Sequence, residues 1–200
     1  MYVYEKRLQC PVNIKIRNPQ TAQFILSQYG GPDGEASAAF RYMSQKFTFK
    51  NPRVAGLLND IACEELSHLE IVGTIVHQLV KDLPCDEVDT AGFEKYYVDH
   101  TLGVWPQSAG GVTFTDTEFQ SSGDHIADLV EDMAAEQKAR KTYDNILSLV
   151  KDCEVADPIK FLRKREIVHF QRFGEALRMV TEEMDKKNFY AVNPSSCIKR

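Results

Sequence analysis

The amino-acid sequence predicts an all-α protein organised as a four-helix bundle, and three observations lead to this prediction. Four long segments carry apolar residues at steps of three and four, the period of an amphipathic helix. Short links join the first segment to the second and the third to the fourth. One connection of nearly forty residues lies between the two pairs, which is the helix order of a bundle with a single long crossover.

The first half of the chain contains an arm and two helical segments. Residues 1–18 alternate in character and have prolines close by, so we expect an extended N-terminal arm. The first helical segment runs from about Pro19 to Phe47, and the glycine-rich stretch YGGPDGE at 29–35 should break it. Asn51 and Pro52 mark a turn, and a second helix then extends to about Leu79.

The crossover is predicted at residues 85–121, which are rich in glycine and contain a proline. Connections of this length are uncommon in compact domains and often form lids or binding loops. The third helix should run from about Ser122 to Val150, with Ser122 or Asp124 as its N-cap.

The sequence VADP at 155–158 should separate the third helix from a fourth at about 158–185, followed by a polar tail at 186–200. The whole arrangement is that of a ferritin-like four-helix bundle, with the crossover between helices 2 and 3. At this length, residues 1–200 are expected to form a single domain.

Composition excludes several classes of function. The chain is 43% hydrophobic and 26% charged with a net charge of −5, and its Lys and Arg residues are dispersed, so we expect no nucleic-acid binding. It lacks a run of ~20 apolar residues and an apolar N-terminal segment, so we expect neither a membrane span nor a signal peptide, and synthesis in the cytoplasm. The five cysteines are far apart and form no CxxC pair, which indicates free thiols and no zinc site.

Polar residues interrupt the apolar faces of three helices near their centres. On the second helix the face is Val54, Leu58, Ile61, Glu65, His68, Val72, Ile75 and Leu79. On the fourth it is Ile159, Leu162, Glu166, His169, Phe173, Ala176 and Val180. On the third it is Ile126, Leu129, Met133, Glu136, Arg140, Tyr143, Leu147 and Val150. These are the faces that a bundle buries.

Carboxylates on buried faces predict a two-metal site, because an ionised carboxylate in a dry core needs compensation. Carboxylate bundles hold metal pairs with one Glu from each of two helices and Glu-x-x-His from each of the other two. Both halves of this chain have that layout, with thirty residues between the first Glu and the second. The predicted metal-binding residues are Glu35, Glu65, His68, Glu136, Glu166 and His169. Carboxylates with two imidazoles suit Mn or Fe.

Neighbouring polar residues have two readings each. Tyr42 lies two turns after Glu35 and is either a phenol that hydrogen-bonds a ligand or an ordinary core tyrosine. Arg140 lies one turn after Glu136 and either pairs with a carboxylate or extends from the bundle edge. Glu64 is about 100° around the helix from Glu65, so we expect it to face another helix or solvent.

The motifs YGGPDGE, EELSH at 64–68, AAEQKAR at 134–140 and REIVH at 165–169 resemble those of the manganese catalases. Residues 1–190, including the opening MYVYEKRLQCPV, are similar to a short branch of that family, the CotJC-type spore coat proteins. One departure is Ala135, which stands where the better-studied catalases tend to have an arginine.

This resemblance implies two Mn ions per subunit that disproportionate hydrogen peroxide. It implies that Glu166 transfers protons or binds metal-bound solvent, that Tyr42 contacts the site, and that the metal ligands are Glu35, Glu65, His68, Glu136 and His169. It further implies a homo-oligomer, a hexamer with exchanged chain ends, located in the spore coat beside other coat proteins. Whether Glu166 is a metal ligand or a proton relay stays open.

Three functions are compatible with the sequence. The leading hypothesis is a dimanganese catalase associated with the spore coat. The second is a structural coat protein whose metal site is vestigial or only stabilising. The third is a ferritin-like di-iron oxidase, because Fe and Mn share ligand preferences.

Overall fold

The computed structural model describes residues 3–187, and within this part of the chain the structure is helical, with no strand. The elements are α1 (Pro19–Gly30), α2 (Glu35–Gln45), α3 (Pro52–Val80), α4 (Cys85–Thr90), α5 (Glu94–His100), a 3₁₀-helix (Asp116–Glu118), α6 (His125–Leu149) and α7 (Cys153–Lys187). None of these helices combines the length and hydropathy needed to cross a membrane.

Four helical rods form the bundle. Helices α1 and α2 together make one broken rod that packs along α3, and α6 packs along α7. Contacts of α3 with α7, and of α1 and α2 with α6, join the two pairs. This confirms the predicted all-α four-helix bundle with one long connection in its middle.

Side-chain caps set where the helices begin. Asn18 accepts a hydrogen bond from the Thr21 N–H at 3.0 Å ahead of α1. Asp124 accepts hydrogen bonds from two backbone N–H groups at the start of α6, so it is the N-cap of this helix. The other candidate, Ser122, instead donates its hydroxyl to the buried Asp128 at 2.6 Å.

The fourth helix begins earlier than predicted, at Cys153 instead of about residue 158. Asp152 explains the difference, because its carboxylate accepts the Glu154 N–H at 2.9 Å and its carbonyl accepts the Ala156 N–H at 2.9 Å. Pro158 therefore lies inside α7, one turn after its start, and α7 lacks the hydrogen bond that a backbone N–H at this position would donate.

The glycine-rich break between α1 and α2 lets the crossover approach the bundle closely. A Cβ on Gly30 would lie 2.3 Å from the Pro106 backbone. The Ala109 N–H donates to the Ser27 hydroxyl at 2.7 Å. The central part of the predicted loop at 85–121 therefore lies against α1. The loop also contains α4, α5 and the 3₁₀-helix.

The N-terminal arm has no helix or strand over residues 3–18. It runs along α3, where the Ile14 N–H donates to Gln78 Oε1 at 2.7 Å and Gln78 Nε2 donates to the Val12 carbonyl at 3.2 Å. At the other end, residues 186 and 187 of the predicted tail belong to α7. Residues 188–200 of the tail and residues 1–2 of the arm lie outside the described residues.

Two apolar clusters fill the bundle on either side of a polar layer. One contains Ile25, Ile75 and Leu162, and the other contains Leu58, Leu129 and Phe173. Every position of the predicted α3 and α7 faces is buried. The polar residues at the centres of these faces therefore lie between the two clusters.

The predicted α6 face is correct only in part. Arg140 is partly exposed, and the buried face instead includes Asp128, Asp132 and Ala139. The reason is that α6 contacts α1 and α2 as well as α7, so it buries a wider face than a two-helix seam requires. Asp128 accepts hydrogen bonds from Ser122 and Gly123, and Asp132 Oδ1 accepts one from Gln45 Nε2 at 2.9 Å.

Replacing Gly30 with Ala should destabilise the protein by about 1–3 kcal/mol, because the new methyl group meets backbone atoms that have to move. Gly56→Ala is the matched control. Gly56 lies on α3, and its Cβ would meet nothing within 4 Å. This change should therefore raise the free energy of unfolding by about 0.5–1 kcal/mol, because Ala has a higher helix propensity than Gly. Urea unfolding of both variants measures the difference, and equal stabilities would contradict the close approach of the crossover.

Candidate metal centre

The six predicted site residues meet in the polar layer at the centre of the bundle. Glu35 is the first residue of α2, Glu136 lies on α6, and α3 and α7 each supply one Glu and one His. Each of the six is at most 3% exposed. The structure therefore brings together all of the side chains that the sequence singled out.

Glu65 lies between the two histidines. Its Oε2 is 2.9 Å from Nδ1 of His68, and its Oε1 is 2.7 Å from Nδ1 of His169. The two imidazole rings are nearly parallel, with centroids 5.5 Å apart. One carboxylate thus faces the same nitrogen of both rings.

The two single glutamates complete two similar half-sites. Glu35 Oε2 lies 3.6 Å from Nδ1 of His68, and Glu136 Oε2 lies 3.5 Å from Nδ1 of His169. Each histidine nitrogen therefore faces one glutamate of its own and the shared Glu65. This division follows from the packing of the two helix pairs across the bundle centre.

Two buried tyrosines support the single glutamates. The Tyr42 hydroxyl donates to Glu136, as one reading of the sequence expected for a phenol beside a ligand. The Tyr143 hydroxyl donates to Glu35, which the sequence reasoning missed because it treated Tyr143 as part of an apolar face. A signal was present, since Tyr143 follows Glu136 by seven residues, as Tyr42 follows Glu35.

The donor atoms of the site are those that a cation would satisfy. One ligand atom from each of Glu65, His68, Glu166 and His169 lies within 4.8 Å of the other three. Glu136 Oε2 and Glu166 Oε1 are buried without a hydrogen-bond partner among the described residues, and Glu65 Oε1 and His169 Nδ1 lie 2.7 Å apart without hydrogen-bond geometry. Unsatisfied carboxylate and imidazole atoms in a dry core fit a pair of oxygen- and nitrogen-preferring metal ions.

Charges in the metal-free site are unevenly distributed. Burial and the charge of Glu65 raise the pKa of Glu35 to about 8 and also raise the pKa of Glu136. Burial and the neighbouring carboxylates raise the pKa of Glu166 well above its usual range. Burial opposes the charged imidazoles, yet Glu65 raises the pKa of His68 and His169 well above the ordinary value. Metal binding therefore has to displace protons.

Glu64 faces another helix, α7, which is one of the two outcomes predicted for this residue, and there it contacts the histidines of the site. Its Oε2 accepts a hydrogen bond from Nε2 of His169 at 3.1 Å, and its Oε1 lies 3.7 Å from Nε2 of His68. The sequence held a signal for this, because Glu64 precedes His68 by one helical turn.

Arg140 does not reach the carboxylates of the site. It donates to Gln137 at 2.8 Å and to Asp144 at 2.7 Å at the partly exposed edge of α6. Arg41 on α2 is a buried cation, 2% exposed, that the sequence reasoning did not single out.

A narrow cleft between α2 and α6 reaches the site. Its free space for a water-sized molecule is about 10 Å³, roughly what a single water needs. Its lining consists of Pro32, Asp33, Glu35, Ala38, Arg41, Tyr42, Ala135, Glu136, Ala139 and Glu166. Ala135 and Arg41 thus line the same cleft as Glu136 and Glu166.

Comparison with known proteins identifies the family. The family model described as manganese containing catalase matches residues 1–192. The chain belongs to the manganese catalase family. It is 46% identical to protein CotJC of Bacillus subtilis, over 95% of this chain and 100% of that protein. It is 35% identical to a probable manganese catalase of Clostridium acetobutylicum, over 94% of this chain and 85% of that protein.

Solved structures agree with this assignment. KatB, a manganese catalase from Anabaena, superposes with a TM-score of 0.84 at 34% identity, over 90% of this chain and 81% of that chain. The likeness confirms the predicted ferritin-like bundle. In this manganese catalase family member, the buried Glu and His cluster is able to bind metal.

Replacing Tyr42 or Tyr143 with Phe should lower the stability of the metal-free protein by about 1–3 kcal/mol, because each change leaves a buried carboxyl group without its donor. We expect the two losses to be similar, since the tyrosines hold equivalent positions. Urea unfolding is the measurement, with Tyr97→Phe on α5 as the control. A loss in only one variant would contradict the equivalence of the half-sites.

The metal-free protein should become less stable as the pH rises from about 5 to 8. Folded Glu35 keeps its proton to about pH 8, whereas the unfolded side chain loses it near 4.5. The folded state thus binds more protons in this window, which costs about 1.4 kcal/mol per pH unit for each retained proton. Urea unfolding across the window tests this, and Glu35→Gln should flatten the slope. Stability that rises with pH would contradict the prediction.

Proposed function

We propose that this chain is a catalase that converts two molecules of hydrogen peroxide into two waters and dioxygen at a pair of manganese ions. The observation that carries the proposal is the convergence of Glu35, Glu65, His68, Glu136 and His169 on one buried point between two apolar clusters. Membership of the manganese catalase family supports the choice of metal and of reaction.

The contacts suggest how the ligands divide. Glu35 and His68 would hold one ion, Glu136 and His169 would hold the other, and Glu65 would bridge the two. The Tyr143 and Tyr42 hydroxyls would fix the two single glutamates through their hydrogen bonds. When bound, the manganese pair supplies the two-electron redox capacity that both halves of the reaction need.

Glu166 is assigned to proton transfer. Reducing one peroxide to two waters consumes two protons, and oxidising the second to dioxygen releases two, so a nearby group has to hold protons between the two halves. Glu166 Oε1 is buried without a hydrogen-bond partner among the described residues, and Glu166 lines the cleft. Burial and neighbouring carboxylates raise its pKa, so it can carry a proton at neutral pH.

The cleft suits a small substrate. Ala135 and Ala139 line it with small side chains beside Glu136 and Glu166. At its outer end, Asp33 is held by Lys138 through an ion pair at 2.8 Å. A passage with room for about one water would admit peroxide and exclude larger reductants, which favours disproportionation over oxidation of an organic substrate.

The cellular setting is proposed from similarity. Identity of 46% along the full length of CotJC, together with the resemblance to CotJC-type spore coat proteins, supports a location in the spore coat beside other coat proteins. A homo-oligomer, specifically a hexamer, is proposed on the same resemblance. Extraction of the coat from purified spores tests the location, and analytical ultracentrifugation tests the assembly. Recovery of the protein only outside the spore would contradict the coat assignment.

Oxygen evolution from peroxide tests the proposed reaction. The Mn-loaded protein should evolve dioxygen far faster than free Mn²⁺, and Glu166→Gln should lower kcat by about 10²–10⁴ while keeping two Mn per chain, because it removes only the proton carrier. Glu175→Gln, an exposed change on the same helix, should leave kcat unchanged. An oxygen electrode gives the rates and elemental analysis gives the metal content.

A rate no higher than that of free Mn²⁺, in protein that holds two Mn ions, would overturn the proposed reaction. An unchanged kcat in Glu166→Gln would leave the reaction standing and remove Glu166 from proton transfer. A native protein that contains iron alone would instead favour the di-iron oxidase.

A further inference from the structure

Glu64 contacts both histidines from the side opposite to Glu65. Glu65 faces Nδ1 of each ring, whereas Glu64 faces Nε2 of each ring, at 3.1 Å for His169 and 3.7 Å for His68. The shorter distance is a hydrogen bond, and the longer one is a charge contact. One carboxylate therefore reaches the outer nitrogens of both imidazoles.

Two further side chains hold the Glu64 carboxylate. Arg165 of α7 lies with Nε 2.7 Å from Oε1 and donates from Nη2 to Oε2 at 3.0 Å. Gln9 of the N-terminal arm donates from Nε2 to Oε1 at 2.8 Å. The Glu64 side chain is 17% exposed, so this network closes the outer side of the site. The arm is thereby connected to the histidines through a single carboxylate.

The positions of Glu64 and Arg165 follow the repeat of the two helix pairs. Glu35, Glu65 and His68 have counterparts 101 residues later in Glu136, Glu166 and His169, and the same offset relates Glu64 to Arg165. Equivalent positions on α3 and α7 thus carry opposite charges and form an ion pair between the two helices. A carboxylate at this shared position can reach both rings, which explains why one acid serves two histidines.

We propose that Glu64 is the positioning residue for both histidines, and that Arg165 and Gln9 hold it in place. Glu64 accepts the Nε2–H of His169 and places its charge beside Nε2 of His68, so that Nδ1 is the nitrogen of each ring left to face Glu65 and the metal pair. Histidine ligands generally donate their second ring N–H to such an acceptor, and losing it typically weakens metal binding 10–100-fold. This inference rests on the proposed manganese site, and it concerns metal binding apart from turnover.

Glu64→Gln tests the role at constant side-chain size. We expect its affinity for Mn²⁺, measured against a competing chelator, to fall 10–100-fold, together with a changed electron paramagnetic resonance spectrum of the bound metal. Glu175→Gln is the matched control and should keep the wild-type affinity and spectrum. Circular dichroism shows whether each variant is folded.

Exchanging the charges of Glu64 and Arg165 distinguishes a positioning role of the carboxylate from a contribution to folding alone. In the double variant Glu64→Arg with Arg165→Glu, the carboxylate moves to the equivalent place one turn before His169. We expect this double variant to recover most of the Mn²⁺ affinity that Glu64→Arg alone loses. Gln9→Ala, an exposed change in the arm, should weaken binding less than Glu64→Gln does, because Arg165 still holds the carboxylate.

Unchanged Mn²⁺ affinity and an unchanged spectrum in Glu64→Gln would overturn the positioning role and leave the proposed catalase standing. A double variant that binds no better than Glu64→Arg would overturn the equivalence of the two positions, and with it the role. The wild type could also bind two Mn ions and evolve no dioxygen, which would remove the proposed reaction. Weaker Mn²⁺ binding by Glu64→Gln would in that case still support the positioning role.

Discussion

The contact of Glu65 with both histidines is the interaction on which the rest of the structure depends. Glu65 is at 0% exposure, and a carboxylate so deeply buried needs a compensating partner. The two imidazoles supply a compensating positive charge in the metal-free protein, which is why the pKa of Glu65 falls despite its burial. Because α3 carries Glu65 and α7 carries His169, this contact fixes how the two helix pairs meet.

The side chains around Glu65 and the two histidines also come in pairs, one from each half of the chain. Tyr42 and Tyr143 each cross the bundle to a glutamate of the other half, so each half of the chain completes the site of its counterpart. Apolar clusters above and below keep water from the polar layer and increase the strength of its electrostatic contacts. The site and the core are therefore a single structure, and neither half of the chain contains a finished site by itself.

Much of this was readable from spacing. The i, i+3 steps from Glu65 to His68 and from Glu166 to His169 predicted their common direction, because a regular helix fixes the angle between neighbours. Glu35 was found despite the glycine break, because it stands thirty residues before Glu65, as Glu136 stands thirty residues before Glu166. The spacing of Glu64 one turn before His68 was a signal for a contact with that ring, but its contacts with Arg165 and Gln9 were not readable, because those residues approach it from distant parts of the chain.

The sequence by itself determined the helices, their pairing, the buried faces of α3 and α7, and the glutamates and histidines that meet at the centre. Local periodicity encodes those properties, and they need only a regular helix and a dry core. Tertiary structure alone decided that Tyr143 donates to Glu35, that Arg140 turns to Asp144 at the edge, and that one arm residue reaches the histidines through Glu64. These contacts depend on the distance and rotation between helices, which helical periodicity does not specify.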